Sequence, residues 1–241
     1  MKLIKVKAIV IKEISYRDND KIVTLLTDEL GRISAIARGA KKTKSSILAN
    51  TQFLVYSEFI LYKNKDIYYV NSASILNMFY KLRTNLDMIG LVFNLTKILQ
   101  SVTDENQDTT RILSLFLNTL YVLENSKKDS KLIIATFKIK LLSLLGFTPK
   151  LDVCYVCKKE FDKINEECEF IYFDYVDNNF LCVFCAQEDK RRYIKISKAT
   201  FYAINYVIAS DLKKVFSFEL KNIYDFDMFG QVYADTVING L

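Results

Sequence analysis

Two Cys-x-x-Cys pairs constrain this chain more than any other feature of its sequence. Cys154 and Cys157 form the first pair, Cys182 and Cys185 form the second, and 24 residues separate them. Two thiolates that are two residues apart sit on one tight turn, so two such turns can direct four sulfurs at one tetrahedral ion. The doubled pair therefore predicts one structural zinc ion, with no open coordination position for a substrate.

Two other interpretations of these cysteines stay open: two disulfide bonds, or four unrelated core residues. Disulfides need an oxidising compartment, and the first residues, which Lys2, Lys5 and Lys7 interrupt, do not resemble a signal peptide. The segment between the pairs is acidic, so we expect this finger to stabilise structure or contact protein rather than phosphates. Its acidic residues are Asp162, Glu166, Glu167, Glu169, Asp174 and Asp177. We expect no role for Cys168, which has no partner in a motif.

Charge and composition restrict the classes of function. The first 50 residues contain eleven Lys or Arg against five Asp or Glu, so they carry the whole formal net charge of +6. A basic excess confined to this part predicts an anionic partner there. The sequence has no His, which removes the commonest general base and weakens every enzyme interpretation. No run of about 18 apolar residues exists, so we expect no membrane-spanning helix.

The first 76 residues predict five short strands. Ile4, Val6, Ala8 and Val10 alternate with lysines, as is typical of a half-buried strand. Further apolar patterns lie at residues 22–27, 33–37, 53–62 and 67–73, and a polar stretch at 15–20 breaks the first pattern. Five short strands of this kind suit a small OB-fold barrel, which binds oligonucleotides across one face and its loops.

A basic loop joins the predicted third and fourth strands. Arg38, Lys41, Lys42 and Lys44 supply four cations in seven residues, beside the flexible Gly39. Such a loop can follow a phosphate backbone without reading bases, although a solvated surface loop would have the same composition. Five tyrosines of this region can stack on bases or fill the core: Tyr16, Tyr56, Tyr62, Tyr68 and Tyr69.

From about residue 84 the apolar period changes from two to near 3.6, which predicts helices with faces that form a bundle core. The apolar positions are Leu86, Ile89, Phe93 and Leu99 in the first helix, Ile112, Leu115, Phe116, Thr119, Leu120 and Leu123 in the second, and Leu132, Ala135, Thr136, Ile139 and Leu142 in the third. The third should begin after the capping residues Asp129 and Ser130 and stop at Gly146. Two more helices, at residues 197–210 and 225–239, should pack back on this bundle and make the finger an insertion.

The predicted fold class is therefore an α+β multidomain protein with four segments. A five-stranded OB-fold barrel occupies residues 1–80, and an all-helical domain begins with residues 81–149. The four-cysteine zinc finger is inserted at residues 150–190, and the helical domain resumes over residues 191–241.

This order of elements resembles the RecO family of bacterial recombination mediators. Three stretches carry the resemblance: residues 16–31, the Ala-Arg-Gly-Ala-Lys-Lys of residues 37–42, and the Leu-Leu-Gly-Phe-Thr-Pro of residues 144–149 before the first Cys pair. The similarity covers essentially the whole chain. Two features depart from the expected pattern. Lys158 and Ala186 follow the Cys pairs where zinc knuckles often have glycine, and the C-terminus lacks basic residues.

The resemblance implies an OB-fold that binds single- and double-stranded DNA, anneals complementary strands and has no catalytic centre. It also implies work with RecR and single-stranded DNA-binding protein to load recombinase on coated single strands, in the cytoplasm at the nucleoid. The DNA-contacting candidates are then Arg17, Arg38, Lys41, Lys42 and Lys44, and the zinc ligands are Cys154, Cys157, Cys182 and Cys185.

On the residues alone, two alternatives to this function remain. A zinc-stapled RNA-binding or protein-interaction module would have a similar barrel and finger. A zinc enzyme fits less well, because four sulfurs close the coordination sphere and no His-x-Glu is present to move protons.

Overall fold

The structure is a computed structural model that describes residues 2–164, 169–186 and 193–240. Cys168, Glu166 and Glu167, for which expectations were given above, lie outside these residues. The chain divides into two compact units, one up to Glu124 and one from Asn125 onward. The finer domain boundaries that the sequence suggests stay a prediction.

The first unit contains a closed five-stranded barrel, as the sequence predicts. Its strands are β1 (Leu3–Tyr16), β2 (Asp20–Thr27), β3 (Arg32–Ala37), β4 (Tyr56–Asn64) and β5 (Ile67–Asn77). They follow one another around the barrel in the order β1-β2-β3-β5-β4, and β4 pairs back on β1. All neighbours are antiparallel except β3 and β5, which form a short parallel seam at Ala35–Tyr68 and Ile36–Tyr69.

Alternating apolar side chains fill the inside of the barrel, because successive residues of a strand point to opposite faces. Small residues stand at several inward positions, as a narrow barrel requires. This core contains Val6, Ala8 and Val10 of β1, Val23 and Leu25 of β2, Ile33, Ala35 and Ala37 of β3, Phe59 and Leu61 of β4, and Tyr68 and Val70 of β5.

The strands differ from the predicted ones at two ends. Ser15 and Tyr16 still pair with β2, so the polar stretch is partly strand and the chain reverses only over residues 17–19. Polar side chains are compatible with a strand whose backbone groups are paired. The fourth strand begins at Tyr56 rather than Phe53, because Leu54 adopts a left-handed conformation (φ +63°) and its N–H binds the Val10 carbonyl.

Three helices follow the barrel in the first unit: α1 (Tyr80–Arg83), α2 (Leu86–Val102) and α3 (Thr110–Asn125). The predicted face of α3 is confirmed, since all six of its apolar positions are buried. Of the four positions predicted for the buried face of α2, Leu99 is buried as expected, but Leu86 is 88% exposed and Phe93 is 46% exposed. Its buried positions are Val92, Leu95, Thr96 and Leu99. This helix has apolar residues on several sides, so spacing alone does not select the buried face.

The second unit is built on α4 (Ser130–Leu144), against which α6 (Lys198–Ala209) and α7 (Tyr224–Asn239) pack. All five predicted apolar positions of α4 are buried, Asp129 caps its first turn, and Gly146 follows its end with φ +93°. Lys140 is buried in this interface and donates hydrogen bonds to the carbonyls of Ile208 and Ser210, where α6 ends. The cysteine segment lies between α4 and α6, so it is an insertion, as predicted.

The inserted segment contains structure that the sequence pattern did not indicate. A short helix, α5 (Phe161–Ile164), precedes a three-stranded antiparallel sheet in the order β7-β6-β8. Its strands are β6 (Phe170–Asp174), β7 (Asn179–Leu181) and β8 (Tyr193–Ser197). The aromatic rings of Phe173 and Phe180 pack on Phe229 of α7, with centroids 4.8 and 5.7 Å away, so the sheet shares a core with the helices.

One acidic residue of this segment, Asp174, has a structural role. Asp174 is buried, and its carboxylate accepts hydrogen bonds from the N–H groups of Val176 and Asp177 in the β6–β7 turn. Asp174 therefore stabilises a turn and adds little to the surface charge.

Among the described residues, no helix combines the length and the apolar character that crossing a bilayer requires.

Candidate metal centre and nucleic-acid interface

The second unit brings the four predicted cysteines together. Their Sγ atoms all lie within 4.8 Å of one another, and all four thiols are free of disulfide bonds. Cys154 and Cys182 are buried, Cys185 is half-buried and Cys157 is exposed. The sequence alone left disulfides and unrelated core cysteines open; the cysteines form one cluster of free thiols, which favours the metal-site interpretation.

Two tight turns hold the sulfurs in place. In the first, the N–H of Cys154 binds the Lys159 carbonyl and the N–H of Lys158 binds the Cys154 carbonyl, at 2.9 and 3.0 Å. In the second, the N–H groups of Cys185 and Ala186 donate to the Cys182 carbonyl. Lys158 adopts φ +61°, a conformation that glycine reaches with less strain, so the turn forms although glycine is missing.

The thiols experience different environments. Burial raises the pKa of Cys154, but N–H groups of Cys182, Cys157 and Val156 donate to its sulfur, and the net pKa falls to about 7. The Cys182 N–H lies 3.4 Å from that sulfur. Burial raises the pKa of Cys182 and of Cys185 above their ordinary values.

The cluster fits a tetrahedral metal ion. Four sulfurs at about 2.3 Å from a zinc ion are separated from one another by about 3.8 Å. The Sγ atoms of Cys157 and Cys182 are 3.9 Å apart. Thiolate sets of this kind bind soft or borderline cations, and a bound cation would remove the cost of placing several thiolates together. These four residues can therefore hold a metal ion.

The barrel brings the predicted basic residues to one end. Arg17 lies in the β1–β2 turn with φ +53°, and the basic loop follows β3. The N–H of Lys41 binds the Asn19 carbonyl at 2.9 Å, and the N–H of Gly39 binds Asp20 Oδ1 at 2.8 Å. These two bonds tie the basic loop to the β1–β2 turn. All five candidates are exposed: Arg17, Arg38, Lys41, Lys42 and Lys44.

Aromatic rings stand beside these cations. The guanidinium of Arg38 lies over the ring of Tyr69, 4.8 Å from its centroid, and Tyr69 stacks on Tyr62 with centroids 5.1 Å apart. The guanidinium of Arg17 lies 5.0 Å from the ring centroid of Tyr16. Of the remaining predicted tyrosines, Tyr56 is half-buried and Tyr68 belongs to the barrel core, where it cannot stack on a base.

A groove of about 560 Å³ crosses the outer face of the barrel beside the parallel seam. At one end it is lined by Tyr16, Ile22 and Ile36. At the other end it meets Arg32 of β3 and the carboxylates of Asp104 and Glu105. Its position on β2 and β3, next to the β1–β2 and β4–β5 turns, is the face on which OB-folds bind oligonucleotides.

Sequence reasoning missed the groove and the residues at its second end. Arg32 pairs with Asp104 at 3.4 Å, and Lys63 pairs with Glu105 at 3.3 Å. The hydrogen bond to Glu105 raises the pKa of Lys63 above its ordinary value. These partners are more than 40 positions apart along the chain, and no spacing pattern links them.

Comparisons with known proteins agree with this architecture. A family model described as "Recombination protein O N terminal" matches residues 1–79, and "Recombination protein O C terminal" matches residues 83–223. The chain is 38% identical to the DNA repair protein RecO of Acetivibrio thermocellus over 221 residues, which cover 91% of this chain and 85% of the relative. It is 33% identical to the protein of that name from Caldicellulosiruptor saccharolyticus over 215 residues, covering 89% and 84%.

A third relative, the DNA repair protein RecO of Clostridium novyi, is 27% identical over 222 residues, covering 92% of this chain and 83% of the relative. The matched regions include the whole barrel and all four clustered cysteines. This chain belongs to the RecO family of recombination and DNA repair proteins.

Proposed function

We propose that this chain is a non-enzymatic recombination mediator that binds single- and double-stranded DNA and anneals complementary strands. One observation carries the proposal: five exposed cations meet at one end of the barrel, beside a stack of aromatic rings. Membership of the RecO family supports the repair role. By the same family relationship, the partners are RecR and single-stranded DNA-binding protein, recombinase loading is the outcome, and the cytoplasmic nucleoid is the location.

The physical requirements of annealing match these residues. Two complementary strands repel each other through their phosphates, so a mediator needs cations that neutralise both without preferring a sequence. Arg17, Arg38 and the lysines of the basic loop project from turns, where they can follow phosphates. Arg38, Tyr69 and Tyr62 form one stack of planar groups, and stacking at such a surface accepts any base.

The test is single-strand DNA binding and annealing by the triple variant Arg38→Glu/Lys41→Glu/Lys42→Glu. With about four phosphate contacts, the wild-type affinity should fall with the logarithm of salt at a slope of roughly −3. We expect the variant to lose annealing and at least tenfold in affinity while its circular dichroism and melting temperature are retained. Wild-type affinity in the variant would contradict the assignment of this loop.

The control variant is Lys127→Glu/Lys131→Glu/Lys213→Glu, which changes the net charge equally at exposed positions of the second unit. It should bind and anneal nearly as the wild type does. Equal losses in both variants would indicate a general charge effect without a site. Preference of the wild type for structured RNA over DNA would instead favour the RNA-binding alternative.

For the metal centre, we propose one zinc ion with a structural role. Four thiolates are a tetrahedral set that zinc occupies in closed structural sites. Metal analysis of the purified protein should give one zinc per chain, and Cys157→Ser should lower that content. A Cys157→Ser variant with wild-type zinc content and melting temperature would contradict the assignment.

A further inference from the structure

The two ends of the barrel groove differ in the charge they offer to a ligand. Ile36 lines one end, and Arg38 follows it just beyond the end of β3. Arg38 forms no ion pair with any carboxylate of the described residues and lies over Tyr69, the β5 partner of Ile36. At the other end, Asp104 Oδ1 lies 3.4 Å from Arg32 Nη2, and Glu105 Oε1 lies 3.3 Å from Lys63 Nζ. Two cations that a phosphate could contact therefore already have carboxylate partners.

Backbone hydrogen bonds fix the acidic segment against the barrel. The N–H of Arg32 binds the Asp104 carbonyl at 3.0 Å, and the Nε of Arg32 binds the Thr103 carbonyl at 2.7 Å. Farther along, the N–H of Asn106 binds the Leu30 carbonyl at 2.9 Å. The segment stays in place through these bonds, whereas exposed ion pairs alone hold a segment weakly.

The close approach of the acidic segment to the β2–β3 turn depends on Gly31. Gly31 adopts φ +72° and forms a β-bridge with Glu105. A Cβ atom added to Gly31 would lie 2.0 Å from the Asp104 carbonyl oxygen, a distance that no side chain allows. The β2–β3 turn is therefore shaped to receive this acidic segment.

We infer that Asp104 and Glu105 act as an internal mimic of DNA phosphates, which occupies Arg32 and Lys63 and confines a bound strand to the Arg38 end of the groove. This inference rests on the proposed function. A phosphate arriving beside Arg32 or Lys63 would meet a carboxylate that the backbone holds there, and like charges at this distance repel. Asp104 and Glu105 thus limit how many nucleotides of a DNA strand the barrel binds. They also determine that the DNA leaves the groove before it reaches Arg32.

The distance along β3 shows how much binding surface is affected. Arg32 begins β3 and Arg38 directly follows its last residue, so about 20 Å of extended chain separates them. A strand restricted to the Arg38 end uses the β1–β2 turn and the basic loop. A strand free to run toward Arg32 would gain two more phosphate contacts.

The experiment compares Asp104→Asn/Glu105→Gln with the wild type, using fluorescence anisotropy of labelled oligo-dT at several salt concentrations. The amides keep the shape of the segment but remove its charge. We expect at least fivefold tighter binding at low salt. The salt slope should become more negative by about 1.4, because each of the two freed cations adds about 0.7 on single strands.

The matched control is Asp87→Asn/Glu124→Gln, which removes two negative charges from the same unit at positions that do not line the groove. It should leave the salt slope unchanged. If both double variants bind alike, the inference fails while wild-type DNA binding still supports the proposed function. If the wild type does not bind DNA at all, the proposed function itself fails.

A double-mutant cycle of Lys63→Gln and Glu105→Gln tests the pairing directly. Lys63→Gln alone should change the affinity for DNA less than twofold, since Lys63 already forms an ion pair with Glu105. In the Glu105→Gln background, the same substitution should remove the gain that Glu105→Gln produced. Equal effects of Lys63→Gln in both backgrounds would overturn the inference, and the exposed position of Lys63 makes misfolding a small concern.

Discussion

Tyr69 shows what a single residue contributes to the candidate interface. One face of its ring lies under Arg38 and the ring stacks on Tyr62, so it positions a cation and extends an aromatic surface. A cation over an exposed ring gains about 0.5–1 kcal/mol, and a base stacked on a ring gains about 1–3 kcal/mol. Tyr69 therefore links the two kinds of contact that a single strand makes.

We predict that Tyr69→Ala weakens single-strand binding by roughly 1–3 kcal/mol and leaves the salt slope nearly unchanged, because it removes the central ring of the Arg38–Tyr69–Tyr62 stack and no charge. Affinity for duplex DNA should change less, since paired bases are not available to the ring. Anisotropy titrations with both substrates measure this difference. Tyr69→Phe is the control and should retain affinity, and a loss as large as that of Tyr69→Ala would point to the hydroxyl instead of the ring.

At the residue level, the sequence predicts the identity of the candidate residues better than their surroundings. The Cys-x-x-Cys spacing predicts the metal cluster, because two residues of separation suffice to place two sulfurs on one turn. Tyr68 was a stacking candidate from its type alone, yet the inward register of β5 buries it. Neighbouring Tyr69 points outward, and only the register separates the two.

At the level of elements, α4 and α7 approach each other closely at one glycine. A Cβ atom on Gly230 of α7 would lie 2.9 Å from Cβ of Ala135 and 3.1 Å from its Cα, within a buried face. In contrast, Gly90 of α2 has nothing within 4 Å of the position of a Cβ atom. Gly230 therefore lies where a side chain would clash, whereas Gly90 lies where a side chain would fit.

We predict that Gly230→Ala lowers the free energy of unfolding by roughly 1–3 kcal/mol, because the added methyl group forces the two helices apart. Gly90→Ala is the matched substitution, and it should raise the free energy of unfolding by about 0.5–1 kcal/mol, since alanine favours a helix. Urea denaturation measures both. A neutral Gly230→Ala would show that α7 can shift at no cost.

The elements that the sequence failed to predict have a common physical cause. The strands β6, β7 and β8 have only three to five residues each, so they show too few alternations to predict a sheet. Their stability comes from packing of Phe173 and Phe180 on helices that are distant in the sequence. The face of α2 was mispredicted for a related reason, because tertiary packing selects among several apolar sides.

At the scale of the whole molecule, the metal centre and the candidate DNA interface lie in different compact units. The cysteines lie in the second unit, and the basic loop and groove lie in the first. Binding of a metal to folded ligands stabilises the unit that holds them. Removal of the metal should therefore act on one unit much more than on the other.

We predict that a strong chelator or Cys157→Ser reduces amide hydrogen-exchange protection in the second unit, most of all in β6, β7 and the two cysteine turns. Protection of the barrel and single-strand affinity should stay close to wild-type values. Exchange followed by mass spectrometry and anisotropy on the same samples measure both properties. Cys157→Ala and Lys159→Ala serve as comparison variants, since only the first removes a ligand. Loss of DNA binding on chelation would show that the metal centre supports the barrel as well.

How much of the molecule the sequence predicts depends on how far apart along the chain the interacting residues are. The barrel, the order of the helices and the cysteine cluster follow from patterns within short stretches. The groove and its acidic end do not, because they form where Arg32 and Lys63 meet residues 104 and 105. Charge counting predicts a basic end of the barrel, but which cations are free depends on these long-range pairs.

The parallel seam of the barrel also has a consequence for the order of folding. The hairpins β1–β2, β2–β3 and β4–β5 close through short turns, and β1 and β4, although farther apart in the sequence, pair over seven residues. The seam joins strands more than 30 positions apart through only two residue pairs. Loop-closure entropy delays such pairing, so we expect the seam to form late and to open first. The groove runs alongside this seam. A DNA strand bound in the groove would therefore stabilise the closed barrel against opening at the seam.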